Sequence, residues 1–132
     1  LQSLPEEERL GTEQAIFQAL RAPRIGNFAK IIDSSVGQTD PKRGGGWLGH
    51  DALAIALYSV IAAFHNPLEV LRIAVNHSGD SDSTGSIAGA MIGAIHGPDV
   101  FEKTLSTNGI ILERHQELKE LAIDLNWTES KK

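Results

Sequence analysis

The chain has 132 residues, enough for one hydrophobic core. Its 17 Asp and Glu residues outnumber its 12 Lys and Arg residues, and the resulting net charge of −5 argues against a nucleic-acid or anionic-membrane partner. The absence of cysteine excludes disulfides and sulfur-based zinc or iron sites, and it is compatible with the cytoplasmic location that we expect.

The first half of the chain predicts helices separated by a loop. Apolar residues at helical spacing predict a helix over 12–21 behind a Thr12 cap, and a second short helix lies near 27–33. Residues 34–46 form a loop by composition, because Gly, Pro, Asp and Ser dominate them. Residues 50–64 are apolar nearly all round, which predicts a helix buried on most of its sides.

The second half also predicts helices. Asn66 caps and Pro67 opens one of them, and a glycine-rich helix runs from 84 to 96. A short helix at 98–106 and an amphipathic helix from 112 onward complete the chain. No segment requires a strand, so the predicted fold class is all-α. The longest uncharged apolar runs are shorter than the ~20 residues that span a bilayer, so no membrane partner is expected.

The turn "SGDSDST" carries the strongest chemical signal. The carboxylates of Asp80 and Asp82 can converge only if the backbone bends, and Gly79 and Gly85 permit such a bend. Oxygen ligands from Asp, Ser and Thr favour Mg²⁺, Ca²⁺ or Mn²⁺ over zinc. The plain alternative is a helix N-terminus capped by Asp82 or Ser83.

Two further interpretations of the turn fit less well. A calcium-binding loop needs a bidentate Glu at its twelfth position, where this chain has Met91. A phosphatase-type D-x-D-x-T turn, with Asp80 as nucleophile, closes a buried strand, whereas the segment before this turn predicts a helix.

Glycines follow the turn at every fourth position, at Gly85, Gly89, Gly93 and Gly97. Each glycine inside a helix costs about 1 kcal/mol relative to alanine. The row therefore predicts that this helix packs very closely against its neighbours and mounts the turn rigidly.

Two stretches together, "GGGWLGHDALAIALYSVIAAF" and "NHSGDSDSTGSIAGAMIGAIHG", resemble the C-terminal part of the ADP-ribosylglycohydrolases, or ADP-ribosylhydrolases. The likeness is strongest over 44–97, and it is closest to the branch that removes ADP-ribose from arginine. It implies that 1–132 is a single partial domain, the C-terminal portion of a larger orthogonal helical fold.

The resemblance also implies a site and its ligands. Asp80 and Asp82 would be the catalytic residues and, with Ser83, would bind two Mg²⁺ ions, for which Mn²⁺ could substitute. Four further residues are candidates for supporting the metal ligands or contacting the substrate: Thr84, His50, Asp51 and His77. Trp47 is expected in the core rather than as a stacking surface for adenine.

The implied reaction is hydrolysis of the N-glycosidic bond between ADP-ribose and a protein arginine. The family's N-terminal ligand motifs do not occur here, and two Mg²⁺ ions need more oxygens than this turn supplies. A second chain carrying the N-terminal half is therefore expected, with an ADP-ribosylated protein or ADP-ribose as the other partner. The alternative is a catalytically inactive structural or ADP-ribose-binding subunit.

Overall fold

A computed structural model of the chain describes residues 5–97, 99–109, 111 and 113–129. All regular elements among these residues are helices, which confirms the predicted all-α class. In chain order they are α1 Glu6–Arg21, α2 Phe28–Ser35, α3 Gly49–Ala63, α4 Pro67–Val75, α5 Ser81–His96, α6 Asp99–Thr107 and α7 His115–Glu129. Over the same described positions, no helix combines the length and the apolar character needed to cross a membrane.

The chain divides into two compact units, Leu1–Gly97 and Pro98–Lys132. The first contains α1 to α5, and α3 packs against α1, α4 and α5 while α4 also packs against α5. Within the second unit, the Lys119 ammonium on α7 donates a 2.6 Å hydrogen bond to the Glu102 carboxylate on α6. This ion pair lowers the pKa of Glu102 and raises that of Lys119.

The core of the first unit is built from small and β-branched side chains around α3. Ala54, Ile55 and Tyr58 on α3 are fully buried, as the all-round apolar pattern predicts. The other members of the core are Ala15, Ala19, Ile32, Val36 and Ile73. Alanines at these positions let the helix axes approach closely, and α3 is therefore the support on which the rest of the unit is assembled.

Several helix starts follow from capping residues. The Asn66 side chain accepts a 3.2 Å hydrogen bond from the Glu69 amide, and Pro67 occupies the first turn, as predicted. Asn27 caps α2 in the same way, with a 3.1 Å bond from the Lys30 amide. The first helix, however, begins at Glu6 rather than at Thr12.

The close packing predicted for the glycine row holds at Gly85 but not at Gly89. A Cβ atom on Gly85 would lie 2.7 Å from Val75 Cγ1, so α4 and α5 do approach closely there. On Gly89 it would meet nothing nearer than Leu71 Cδ2 at 3.8 Å, which is an ordinary contact distance. The prediction is therefore wrong at Gly89, where an alanine fits.

Trp47 also departs from expectation. Its side chain is 67 % exposed instead of lying in the core. The backbone of Gly46 takes the inner position: a Cβ on Gly46 would lie 2.9 Å from Thr84 Cγ2. The backbone beside Trp47 is therefore already packed against the start of α5.

Tyr58, the only tyrosine in the chain, gives a direct test of this core. Its hydroxyl donates a 2.6 Å hydrogen bond to the Pro23 carbonyl, and burial raises the pKa of the phenol. Because the folded-state pKa lies above the unfolded one, this residue's contribution to stability is complete below pH ~10 and is lost as pH rises through the raised value. We expect tyrosinate absorbance to appear above its ordinary range and together with loss of helical circular dichroism. Titration at the ordinary value in an intact helical protein would contradict this burial.

Candidate functional site

Residues 77–85, here called the acidic turn, bring two carboxyl groups together at the start of α5. Asp80 occupies the N-cap position with φ −76° and ψ 84°, outside the helix, while Asp82 lies in the first helical turn. The bend between them brings the two carboxyl groups close enough for Asp82 to lower the pKa of Asp80. The Asp80 and Asp82 side chains, which would point apart on a regular helix, therefore converge because they lie on either side of the start of α5.

The capping alternative is wrong in its choice of residue. The N-cap is Asp80 rather than Asp82 or Ser83, and the Asp80 side chain makes no capping hydrogen bond. Asp82 Oδ1 instead accepts a 3.0 Å bond from the adjacent Ser83 amide. The polar side chains of the turn therefore exceed what a helix start requires.

The electrostatics of the turn favour an anionic Asp80. A side-chain hydrogen bond with Asp82, and then one with Ser83, lowers the pKa of the Asp80 carboxyl. A weaker interaction with the Ser83 amide falls short of capping geometry. Asp80 and Ser83 are partly exposed and Asp82 is exposed, so their oxygens are accessible from solvent. A charged, accessible carboxylate with neighbouring oxygen donors is suited to a hard cation.

Thr84 and His77 support the turn from its buried side. Thr84 is fully buried, and its hydroxyl donates a 2.6 Å hydrogen bond to the Ala74 carbonyl at the end of α4. His77 Nδ1 accepts from the Gly79 amide at 3.1 Å, so the proton is on Nε2, which lies 2.9 Å from the Ala74 oxygen and 3.0 Å from Thr84 Oγ1. These bonds join the end of α4 to the beginning of α5.

Residues 37–46, here called the brace loop, lie directly behind the acidic turn. The loop is closed by a 2.7 Å hydrogen bond from the Gly45 amide to the Gly37 carbonyl. The Gly45 carbonyl in turn accepts a 2.8 Å bond from the Asp80 amide. Gly79 and Gly45 are so close that a Cβ on Gly79 would lie 2.6 Å from the Gly45 carbonyl carbon. The loop therefore fixes the backbone on which the Asp80 carboxylate is mounted.

A pair of glutamines ties the brace loop to α1. The backbone N–H of Gln38 donates to the Gln18 side-chain oxygen Oε1 at 3.1 Å, and Gln18 Nε2 donates to the backbone carbonyl of Gln38 at 3.4 Å. Gln38 Nε2 also donates to the Ile32 carbonyl at 3.2 Å. Sequence reasoning missed both glutamines, because residues 20 positions apart carry no local signal of pairing.

His50 and Asp51 hold the brace loop against α3. Asp51 is fully buried, and its Oδ1 accepts a 3.2 Å bond from the Thr39 amide, while Oδ2 is buried without a hydrogen-bond partner among the described residues. His50 Nε2 lies 2.7 Å from Thr39 Oγ1 and 3.9 Å from Asp51 Oδ1. The hydroxyl and the carboxylate thus face the same ring nitrogen, which does not form a nucleophile–base–acid relay. The predicted contact of His50 and Asp51 with substrate stays a prediction.

A family model described as ADP-ribosylglycohydrolase matches residues 2–130. The chain belongs to the ADP-ribosylglycohydrolase family. No solved structure matches it significantly. Membership implies hydrolysis of ADP-ribosyl groups and hence an ADP-ribosylated substrate. The match also extends well beyond residues 44–97, over which the resemblance was strongest.

The acidic turn of this ADP-ribosylglycohydrolase fits part of a divalent-metal site. Its donors are all hard oxygens, from Asp80, Asp82 and Ser83, and the Asp80 side chain, although at the N-cap position, makes no capping hydrogen bond. In the parts of the chain that the structure describes, no group of three or more His, Asp and Glu side chains lies close enough to hold a metal by itself. Since Mg²⁺ prefers six oxygens in octahedral geometry, these residues could supply one side of a coordination sphere.

Proposed function

We propose that the chain takes part in hydrolysis of the N-glycosidic bond between ADP-ribose and a protein arginine, assisted by two Mg²⁺ ions. Family membership supports the general reaction, and the likeness of "GHDA" and "SGDSDST" to the arginine-specific branch supports the acceptor. The observation that carries the proposal is the convergence of Asp80 and Asp82 at the start of α5, where the Asp80 side chain makes no capping hydrogen bond.

In this proposal Asp80, Asp82 and Ser83 would hold the metal ions. The Asp80 carboxylate, whose pKa is lowered, is charged at neutral pH, as an ordinary aspartate also is, so it needs no deprotonation before it binds a cation. Bound Mg²⁺ would orient the ribose hydroxyls and activate water. Thr84 and His77 act by holding the turn in place, and Mn²⁺ would substitute for Mg²⁺ because it accepts the same oxygen ligands.

The remaining ligands would come from a second chain that carries the N-terminal half of the fold. Two octahedral ions have more positions than two carboxylates and one hydroxyl can fill, so further protein ligands, substrate or water must occupy the rest. The present chain would then be the C-terminal portion of the complete domain. Activity is expected only from the assembled pair.

Loss of the two carboxylates tests the proposed metal site. In native mass spectrometry with Mg²⁺, the wild-type chain should be detected as a complex with a second polypeptide and two metal ions. Asp80→Ala and Asp82→Ala should each reduce Mg²⁺ affinity by at least about tenfold and abolish release of ADP-ribose from ADP-ribosylarginine. Asp99→Ala is the control, because it removes an exposed carboxylate on α6.

Unchanged metal binding by the assembled Asp80→Ala and Asp82→Ala variants would overturn the metal site. Cleavage of a serine-linked but not an arginine-linked substrate would overturn the acceptor while leaving the hydrolase intact.

A second candidate function is an inactive structural or ADP-ribose-binding subunit. It is favoured by the small donor set, since the described residues bring together only two carboxylates and a hydroxyl at the turn. This candidate predicts ADP-ribose binding that does not depend on Mg²⁺ and that survives loss of Asp80. The hydrolase predicts that binding and turnover both require the metal.

A further inference from the structure

The acidic turn has an attachment to α2 that its own sequence does not indicate. Asp33, near the end of α2, accepts two hydrogen bonds from Ser78: one from the backbone amide at 3.0 Å and one from the side-chain hydroxyl at 2.8 Å. The two residues are 45 positions apart. Both bonds end on the same oxygen, Asp33 Oδ1.

Asp33 is mounted on a well-anchored element. The preceding residue, Ile32, is fully buried in the core of the first unit. At the other end of α2, the Phe28 ring makes an edge-on contact with Tyr58, with ring centroids 6.4 Å apart. The Asp33 carboxylate itself is exposed, so it contributes a fixed anchor point without belonging to the core.

The segment between Ser78 and Asp80 is therefore held at both ends. At Ser78 it is fastened to α2, and at Asp80 its amide is bonded to the Gly45 carbonyl of the brace loop. Gly79 lies between these two points and has no side chain to restrict its backbone. Without the bonds to Asp33, the Ser78 end of this segment would be held only by the bond from the Gly79 amide to His77, and the direction of the Asp80 carboxylate would be less well defined.

We propose that Asp33 is a positioning residue, whose bonds to Ser78 orient the Asp80 carboxylate for a divalent cation. The binding of a cation in this inference rests on the proposed function, whereas the orientation of the turn by Asp33 does not. Because both donors use one oxygen, asparagine can replace the aspartate, since its amide oxygen accepts the same two bonds. Alanine cannot. Asp33→Asn is thus the conservative variant that should rescue the loss caused by Asp33→Ala.

The experiment uses the 132-residue chain, labelled for NMR and assembled with the second chain, with Mn²⁺ as the probe. In the wild-type chain, Mn²⁺ should broaden the amide signals of residues 80–83 first. Asp33→Ala should require about tenfold more Mn²⁺ for the same broadening, whereas Asp33→Asn should stay close to wild type. Glu13→Ala is the charge-matched control: it removes one carboxylate, paired with Arg9 on α1, and should leave the titration unchanged.

Amide hydrogen exchange separates this inference from the metal proposal. The Asp80 amide, bonded to Gly45, should exchange faster in Asp33→Ala and at the wild-type rate in Asp33→Asn. Failure of Mn²⁺ to broaden residues 80–83 in the wild type would overturn the metal site, and the exchange rates would then decide the role of Asp33 alone. Wild-type exchange and Mn²⁺ response in Asp33→Ala, or an Asp33→Asn as impaired as Asp33→Ala, would overturn the positioning role.

Discussion

Replacing Gly79 with alanine is expected to destabilise the first unit by about 3 kcal/mol and to displace the acidic turn. The added Cβ would lie 2.6 Å from the carbonyl carbon and 2.8 Å from the Cα atom of Gly45. These are backbone atoms, which cannot move aside by a rotamer change. The brace loop and the turn would have to separate, and the 2.8 Å bond from the Asp80 amide to the Gly45 carbonyl would be lost.

The measurement is urea unfolding followed by circular dichroism, with Mn²⁺ broadening of the turn as a second readout. Gly49→Ala is the matched control, because a Cβ on Gly49 meets nothing within 4 Å and the residue lies in the first turn of α3. The control should stay within about 1 kcal/mol of wild type. A Gly79→Ala protein as stable as this control, with its Asp80 amide still protected from exchange, would show that the close approach of the two glycines is not required.

Local patterns in the sequence predict the helices well where apolar spacing and capping residues agree. The continuous apolar character of residues 50–64 gives α3, and Asn66 with Pro67 gives the start of α4. The start of α1 is missed because residues 6–11 are mostly charged and show no apolar periodicity. Glutamate and arginine nonetheless have high helix propensity, and acidic residues favour the first turn of a helix.

The beginning of α5 is missed for a related reason. Ser81, Asp82 and Ser83 are typical of turns, since their side chains compete with the helical backbone for hydrogen bonds. Here the helix starts at Ser81 because Asp80 adopts the non-helical N-cap conformation. The shift of three residues matters for the site, because it places Asp82 and Ser83 on the helix and leaves Asp80 outside it.

Local sequence identifies the acidic turn, but not the residues that hold it. Composition predicts a loop over 34–46, although residues 34 and 35 belong to α2, and its glycines do not indicate that Gly45 lies against Gly79. Asp33 likewise looks like one of many exposed acidic residues until α2 and the turn are brought together. These contacts join segments far apart in the chain, so they depend on how α1, α2 and α3 pack and not on any local preference.

Replacing Gly37 with alanine is expected to destabilise the chain by about 3 kcal/mol or more, for two independent reasons. Gly37 has a φ of +66°, a left-handed conformation that costs a residue with a side chain about 1–2 kcal/mol. In addition, its Cβ would lie 2.7 Å from Ile55 Cδ1 and 2.8 Å from the Asp51 carbonyl oxygen. Because the Gly37 carbonyl accepts the bond that closes the brace loop, the damage should reach the acidic turn.

Gly26→Ala separates the two causes. Gly26 also has a positive φ, +124°, but its Cβ would meet nothing closer than Ile31 Cδ1 at 3.9 Å, so only backbone strain of about 1–2 kcal/mol is expected. The difference between the two variants in urea unfolding therefore measures how tightly the brace loop packs against α3. If Gly37→Ala loses about 2 kcal/mol more unfolding free energy than Gly26→Ala, and its Asp80 amide exchanges faster, then the packing of the loop against α3 fixes the turn. Equal losses for the two variants, with the Asp80 amide unchanged, would show instead that the loop yields to the added methyl group and does not fix the Asp80 backbone.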